Sequence, residues 1–299
     1  MGYRSIVITS AAHLTVKNRQ LVIAGAVQGS LPVEDLRTVM IENPQATVTA
    51  YALSYLAREG VTVFFCDEKH MPCAFLESYG ANARRKKQIE LQHAQSQPRK
   101  KRLWQSVVEG KISNQVACLK ACGVDKIYYG RLEVLQKQIL SGDSTNVEGQ
   151  AAALYFRYLF GDGFTRSAED EINAHLNYGY AILRGFIARL LADYGYEPCL
   201  GIHHKSELNQ FNLADDLMEP FRPLVDLFVF QNRLGEALDP VGKRELANIL
   251  NYEMTVGKEK HSAAYAAEKL VQSLGRCFQN GDGVLQLPYL QDLKRHEYE

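Results

Sequence analysis

The sequence has no net charge, no two cysteines spaced as a CxxC pair, and no apolar run long enough to span a bilayer. Lysine plus arginine and aspartate plus glutamate both number 34 in 299 residues. Binding to a polyanion would therefore need positive charge concentrated locally. The six cysteines (Cys66, Cys73, Cys118, Cys122, Cys199, Cys277) are scattered. Cys118 and Cys122 lie four apart on an expected helix with no matching Cys/His pair nearby, so they read as free thiols of a reducing cytosol rather than zinc ligands. No uncharged stretch reaches the ~18–20 residues of a membrane-spanning helix. The start lacks the basic, apolar and cleavage regions of a signal peptide. Met1-Gly2 begins like a myristoylation signal, but Ile6 stands where serine or threonine is needed. The expected location is the cytoplasm, with no membrane partner.

What is present is an ordinary folded composition, 46% apolar and 23% charged, at a length that suggests two domains. The expected fold class is α+β: a small β-rich N-terminal domain over 1–80, a basic linker over 81–104 and a larger all-α domain over 105–299. Strand candidates fall at 5–9, 20–24, 38–41 and 61–65, each a β-branched run. Asn18 suits a hairpin turn, because asparagine tolerates positive φ. Between the last two strands, 47–59 places Tyr51, Leu53, Tyr55 and Leu56 at helical spacing until Gly60. The linker concentrates Arg84, Arg85, Lys86, Lys87, Arg99, Lys100, Lys101 and Arg102 against one acid, Glu90. Compositionally this is a solvated helical segment; functionally it is a candidate phosphate-binding stripe. Beyond 104 the periodicity is helical with no convincing strand pair. The clearest helix is expected over 168–194, capped by Ser167.

Three stretches could carry chemistry. In the first, Ser144, Thr145 and Asn146 are all possible caps, which puts Glu148 in a helix's opening turn beside Ala151, Ala152 and Tyr155. A first-turn glutamate ordinarily just complements the helix dipole. In the second, His203 and His204 are adjacent and project differently, a pairing that rarely binds one metal together; a loop histidine of this kind is ordinarily just hydrogen-bonded. In the third, one helix face over 212–228 carries Asp216, Glu219, Arg222 and Asp226. Pro220 and Pro223, read as interior prolines, bend it toward a shaped site. Together Glu148, His204 and Glu219 supply two carboxylates and an imidazole, a donor set suited to Mg²⁺ or Mn²⁺ with open positions for phosphate oxygens. Nothing in the spacing brings the three together.

The run GIHHKSELNQFNLADDLMEPFRP (201–223), preceded by NVEGQAA (146–152) and NAHLNYGYAILRG (173–185), resembles the CRISPR-associated spacer-acquisition integrases, the Cas-one endonuclease family. The order and spacing of the blocks fit, and the HHxSELNxFNL wording is most similar to the type II members. The resemblance implies Glu148, His204 and Glu219 as ligands of Mg²⁺ or Mn²⁺ and as catalytic residues. Asp216 would be a further acid near the site, and Arg222 would hold the acidic cluster or a phosphate. Some relatives have aspartate where this chain has Glu219.

The implied reaction is transesterification. The 3′-hydroxyl of a short prespacer duplex attacks a phosphodiester at the edge of a CRISPR repeat. The implied partners are double-stranded DNA, a second copy of the chain forming a homodimer through the β-rich domain, a Cas-two protein dimer as bridge, and other type II adaptation proteins. The same residues would also serve a branched-DNA repair nuclease or a mobile-element integrase. A non-catalytic DNA-binding scaffold is the alternative from another class.

Overall fold

A computed structural model describes residues 2–68, 71–76, 78, 84–233, 235–280 and 283–297. The expected boundary at 80/81 and the first three residues of the basic segment lie outside the described residues. The N-terminal part holds β1 (Arg4–Ile8), β2 (Ala12–Lys17), β3 (Gln20–Gly25), β4 (Gly29–Pro32), β5 (Leu36–Ile41), β6 (Thr47–Val48), α1 (Ala50–Arg58), β7 (Thr62–Cys66) and β8 (Pro72–Phe75). One sheet has the order β1-β5-β7-β8, parallel through β7 with β8 antiparallel at the edge. The other is ordered β4-β3-β2-β6. Asn18 and Arg19, both at positive φ (51° and 61°), turn the β2–β3 hairpin, the geometry a two-residue turn needs to match strand twist. Thr49 caps α1 by accepting the Ala52 N–H at 3.2 Å, and Gly60 at φ 78° stops it.

Every residue of β5 is buried, because the parallel sheet is covered on both faces. Val39, Ile41 and Val63 pack with Leu14, Leu21, Ala52 and Leu56. Met40 and Phe64 belong to the larger helical core. That core is built on α2 (Arg85–His93), α3 (Gln97–Ala121), α4 (Lys126–Gln136), α5 (Val147–Phe160), α6 (Glu171–Asp193), α7 (Asn212–Met218), α8 (Arg222–Asn232), α9 (Pro240–Ala247) and, after two strands, α10 (Ala263–Asn280). In the segment read as a linker, the described residues form α2 and the first turns of α3. Gln92 on α2 donates to the Glu197 and Leu200 carbonyls at 2.9 and 2.7 Å.

The C-terminal part is not all-α. β9 (Tyr252–Val256), β10 (Glu259–Ser262) and β11 (Tyr289–Arg295) form an antiparallel sheet ordered β10-β9-β11. β9 alternates Tyr252, Met254 and Val256 with polar residues over only five positions, too short to stand out between helical patterns. β11, YLQDLKR, has no β-branched residue and owes its strand to pairing with β9. The long helix is capped by Asp170, which accepts the Asn173 N–H at 2.7 Å, and not by Ser167. Among the described residues no helix is long and apolar enough to cross a membrane.

Helix α6 is the centre of the packing. A Cβ at Gly185 would overlap the Phe64 ring on β7, and one at Gly179 would overlap Val225 on α8. The two glycines let one helix approach the sheet on one side and α8 on the other. A buried ion pair, Lys243 to Glu42 at 2.7 Å, joins α9 to the chain just after β5. Replacing Gly185 by alanine is expected to destabilise the protein by about 1–3 kcal/mol through overpacking. Urea denaturation tests it, and a midpoint equal to wild type would show that α6 and β7 have room to spare.

Candidate metal centre

The site is organised from α3. Trp104, Val107, Val108, Lys111 and Gln115 follow one another along its buried stripe. A lysine in that stripe must find negative partners or lose its charge. Lys111, 7% exposed, finds two: its ammonium ion-pairs with Glu148 in the first turn of α5 and with Glu219 between α7 and α8. Burial alone would lower the Lys111 pKa, but Glu219 and Glu148 outweigh it and raise it.

Glu148 is placed by the turn before α5. Asn146, in the left-handed region, caps the helix. Asp143 accepts the Val147 and Glu148 N–H groups at 2.8 and 2.9 Å. Glu219 is placed by a break in the helix. Residues Glu219–Phe221 form a 3₁₀ turn, and α8 starts at Arg222. Pro220 and Pro223 are therefore not interior prolines. Each sits in the first turn of a new segment, where a missing N–H is no loss. Asn114 on α3 fixes the turn by donating to the Pro220 carbonyl at 2.6 Å, and the same amide donates to the Pro288 carbonyl at 2.9 Å. Arg222 lies 2.9 Å from the second Glu219 oxygen. Burial would push the Glu219 carboxyl up, yet Arg222 and Lys111 hold it at about 2.

The histidine loop is shaped by Asp216, which is fully buried. One of its oxygens accepts the Ile202 and His203 N–H groups at 2.7 and 3.0 Å. The other accepts the His204 N–H at 3.1 Å and pairs with His204 Nδ1 at 2.7 Å. An ionised carboxylate only accepts, so Nδ1 carries a proton, and in the neutral imidazole Nε2 keeps its lone pair. The hydrogen bond that His204 donates to Asp216 raises the His204 pKa against the opposing effect of burial. His203 stacks on Trp104 at 4.0 Å with its ring nearly parallel, and burial lowers its pKa. The two imidazoles stand at 85° to each other. Gly201 is required because a Cβ there would overlap the His204 carbonyl.

The structure thus brings Glu148 and Glu219 to one ammonium, Arg222 to Glu219, and His204 to Asp216. Among the described residues no three His, Cys, Asp or Glu side chains form a ready-made metal cage. The donor set nonetheless suits a cation: two carboxylates already share a buried positive charge, and an imidazole is oriented with a free Nε2. The basic residues divide. Arg85 pairs with Glu197 at 3.4 Å and Lys86 with Glu90 at 3.8 Å, and Arg84 and Lys87 are exposed on the same segment. Arg99 donates to the Phe278 carbonyl at 3.3 Å. Lys100 is close enough to Lys205 and Asp216 to feel both charges. The Lys101 stem packs over Gly142 before α5, and Arg102 is exposed. Residue pattern alone does not single out Lys111, Trp104, Asn114 or Asp143. A lysine inside an apolar helical stripe is the one signal that could have found the first.

Asp226, on the same acidic face in sequence, is not a solvated residue. It is buried, and both the Tyr155 hydroxyl, at 2.9 Å, and the Tyr180 hydroxyl donate to it. Burial pushes its carboxyl up to about 6 although both tyrosines and Arg222 oppose the shift. Above pH 6 the folded protein bears the full cost of a buried carboxylate. As the pH falls from 6 toward the ordinary 3.8, the folded state takes up a proton first and that cost disappears. The stability gained by Asp226→Asn relative to wild type should therefore be up to about 3 kcal/mol greater at pH 8 than at pH 4. Urea midpoints across that range measure it, and a constant difference would show that Asp226 titrates normally.

The profile of the CRISPR associated protein Cas1 family matches residues 6–239. A CRISPR-associated endonuclease Cas1 from Neisseria meningitidis serogroup C (strain 8013) is 42% identical over 306 residues, covering all of both chains. Among solved structures, a casposase bound to integration product superposes with a TM-score of 0.73 at 19% identity, over 95% of this chain and 93% of that one. A Cas6-RT-Cas1–Cas2 complex gives a TM-score of 0.71 at 21% identity, over 97% of this chain and 36% of that longer one. The two structural likenesses speak for the fold. The profile match and the full-length identity go further: this chain belongs to the CRISPR-associated Cas1 family.

Proposed function

We propose that the protein is a divalent-metal-dependent DNA integrase and endonuclease of a type II CRISPR system, joining short DNA duplexes to a CRISPR repeat. The observation that carries this reading is the convergence of Glu148 and Glu219 on one buried positive charge, together with a histidine whose Nε2 is left free by Asp216. It is supported by the endonuclease named among its relatives and the integration product named with a structural neighbour. Glu148, His204 Nε2 and Glu219 would hold Mg²⁺ or Mn²⁺. When bound, such an ion lowers the pKa of a hydroxyl and neutralises charge on the phosphorus transition state.

The chain's own residues prepare that chemistry. Asp216 fixes the tautomer and direction of His204. Arg222 and Lys111 keep Glu219 ionised through burial. Lys100, Lys101 and Arg102 bring positive charge along α3 toward the site, suited to contacts with the DNA backbone. In the reaction, the attacking 3′-oxygen bonds to phosphorus, the bond from phosphorus to the repeat strand's 3′-oxygen breaks, and the departing oxygen gains the proton that the attacking hydroxyl loses. One phosphodiester replaces another, so no nucleotide energy source is needed. The working assembly is a homodimer bridged by a Cas2 dimer, consistent with the Cas1–Cas2 complex among the neighbours. Other type II adaptation proteins act alongside it in the cytoplasm.

A disintegration assay on labelled branched DNA with Mn²⁺ tests the reading. Wild type should rejoin strands, and Glu148→Gln, Glu219→Gln or His204→Ala should lower the rate at least 100-fold while DNA stays bound. Hydrolysed fragments without rejoining would favour a branched-DNA repair nuclease. Bound DNA without product from any protein would favour a scaffold. Separately, replacing Lys100, Lys101 and Arg102 by alanine should weaken DNA binding. The slope of log affinity against log salt should flatten by about 1 for each phosphate no longer neutralised. An unchanged slope would remove these residues from the interface.

A further inference from the structure

Lys111 stands in the middle of the candidate centre but is not one of its candidate ligands. Glu148 and Glu219 carry two negative charges, and Lys111 and Arg222 in contact with them carry two positive charges. Asp216 keeps its negative charge nearby, but its oxygens hydrogen-bond three backbone N–H groups and His204 rather than Lys111 or Arg222. The carboxylates are therefore neutralised before any metal arrives. A dication must share them with the ammonium or displace it, and both oppose binding. Removing the ammonium without a substitute would leave two neighbouring carboxylates with only Arg222 against Glu219, and breaking a buried pair in this way is costly.

We propose that Lys111 is a resident counter-cation. It holds Glu148 and Glu219 in place and keeps their affinity for a divalent ion low until a DNA phosphate adds the negative charge that balances the ion. It is a positioning residue, and the proposal rests on the metal reading given above. Metal and DNA then bind with mutual reinforcement, each raising the affinity for the other, as linkage requires. A purely structural lysine would lower stability when replaced but would leave metal affinity unchanged.

The test is Mn²⁺ binding to the DNA-free protein, followed by the EPR signal of free Mn²⁺, for wild type, Lys111→Met and Lys111→Gln. Melting temperatures are taken with and without the ion. Both variants should melt below wild type without metal, bind Mn²⁺ at least tenfold more tightly, and regain more of their melting temperature when it is added. A short DNA duplex should tighten Mn²⁺ binding to wild type by a larger factor than to either variant. Lys111→Gln can still hydrogen-bond both carboxylates and carries the test alone if the methionine variant does not fold. Equal Mn²⁺ affinity in wild type and variants, abolished in each by Glu219→Gln, would overturn the proposal and leave the metal site standing. Mn²⁺ binding indifferent to Glu219→Gln in every background would overturn both.

Discussion

The balance of charge around Glu219 governs the geometry of the whole centre. A carboxylate buried to this degree is stable only with cations against it, and the chain supplies them from two directions: Lys111 from α3 and Arg222 from the start of α8. Lys111 also takes Glu148, so the same requirement draws α5 to α3. Three segments far apart in sequence are thereby held by one electrostatic demand. The cost of burying so many charges is borne by a large apolar core, in which α6 is packed against both β7 and α8.

Much of the first 66 residues can be read from the sequence, because β-branched runs and a helical period separated by Gly60 are local signals. The hairpin turn at Asn18 is equally local. The C-terminal sheet is different. β9 shows alternation for only five residues, and β11 has a polar sequence whose conformation is set by its partner strand. The start of α6 illustrates competition between caps: Ser167 and Asp170 both precede the acidic turn, and it is Asp170 that reaches the Asn173 N–H.

For the site, the identities of Glu148, His204 and Glu219 stand out by residue type and family motif, whereas their supports do not. The prolines near Glu219 signal an interruption, but whether they bend one helix or begin two new segments depends on where α7 ends. Asp226 sits in the same acidic pattern as Asp216, and only packing distinguishes their roles: one takes the backbone of the histidine loop, the other two tyrosines. Lys111 is not singled out by residue pattern; its one local trace is a charge within an apolar stripe, and its partners arrive from residues 37 and 108 positions further along. Within the basic segment, Arg85 meets Glu197 and Arg99 reaches the Phe278 carbonyl, partners too distant in the chain for a local pattern to show.

Asn114 ties distant parts of the chain together at a single amide. Its side chain holds the carbonyl of Pro220, next to Glu219, and also the carbonyl of Pro288 and the N–H of Leu290, where β11 begins. The turn that aims Glu219 therefore shares its anchor with the last strand of the fold. Two hydrogen bonds through Asn114 thus link the last strand to the turn that carries the carboxylate, although the C-terminal segment contributes no candidate ligand.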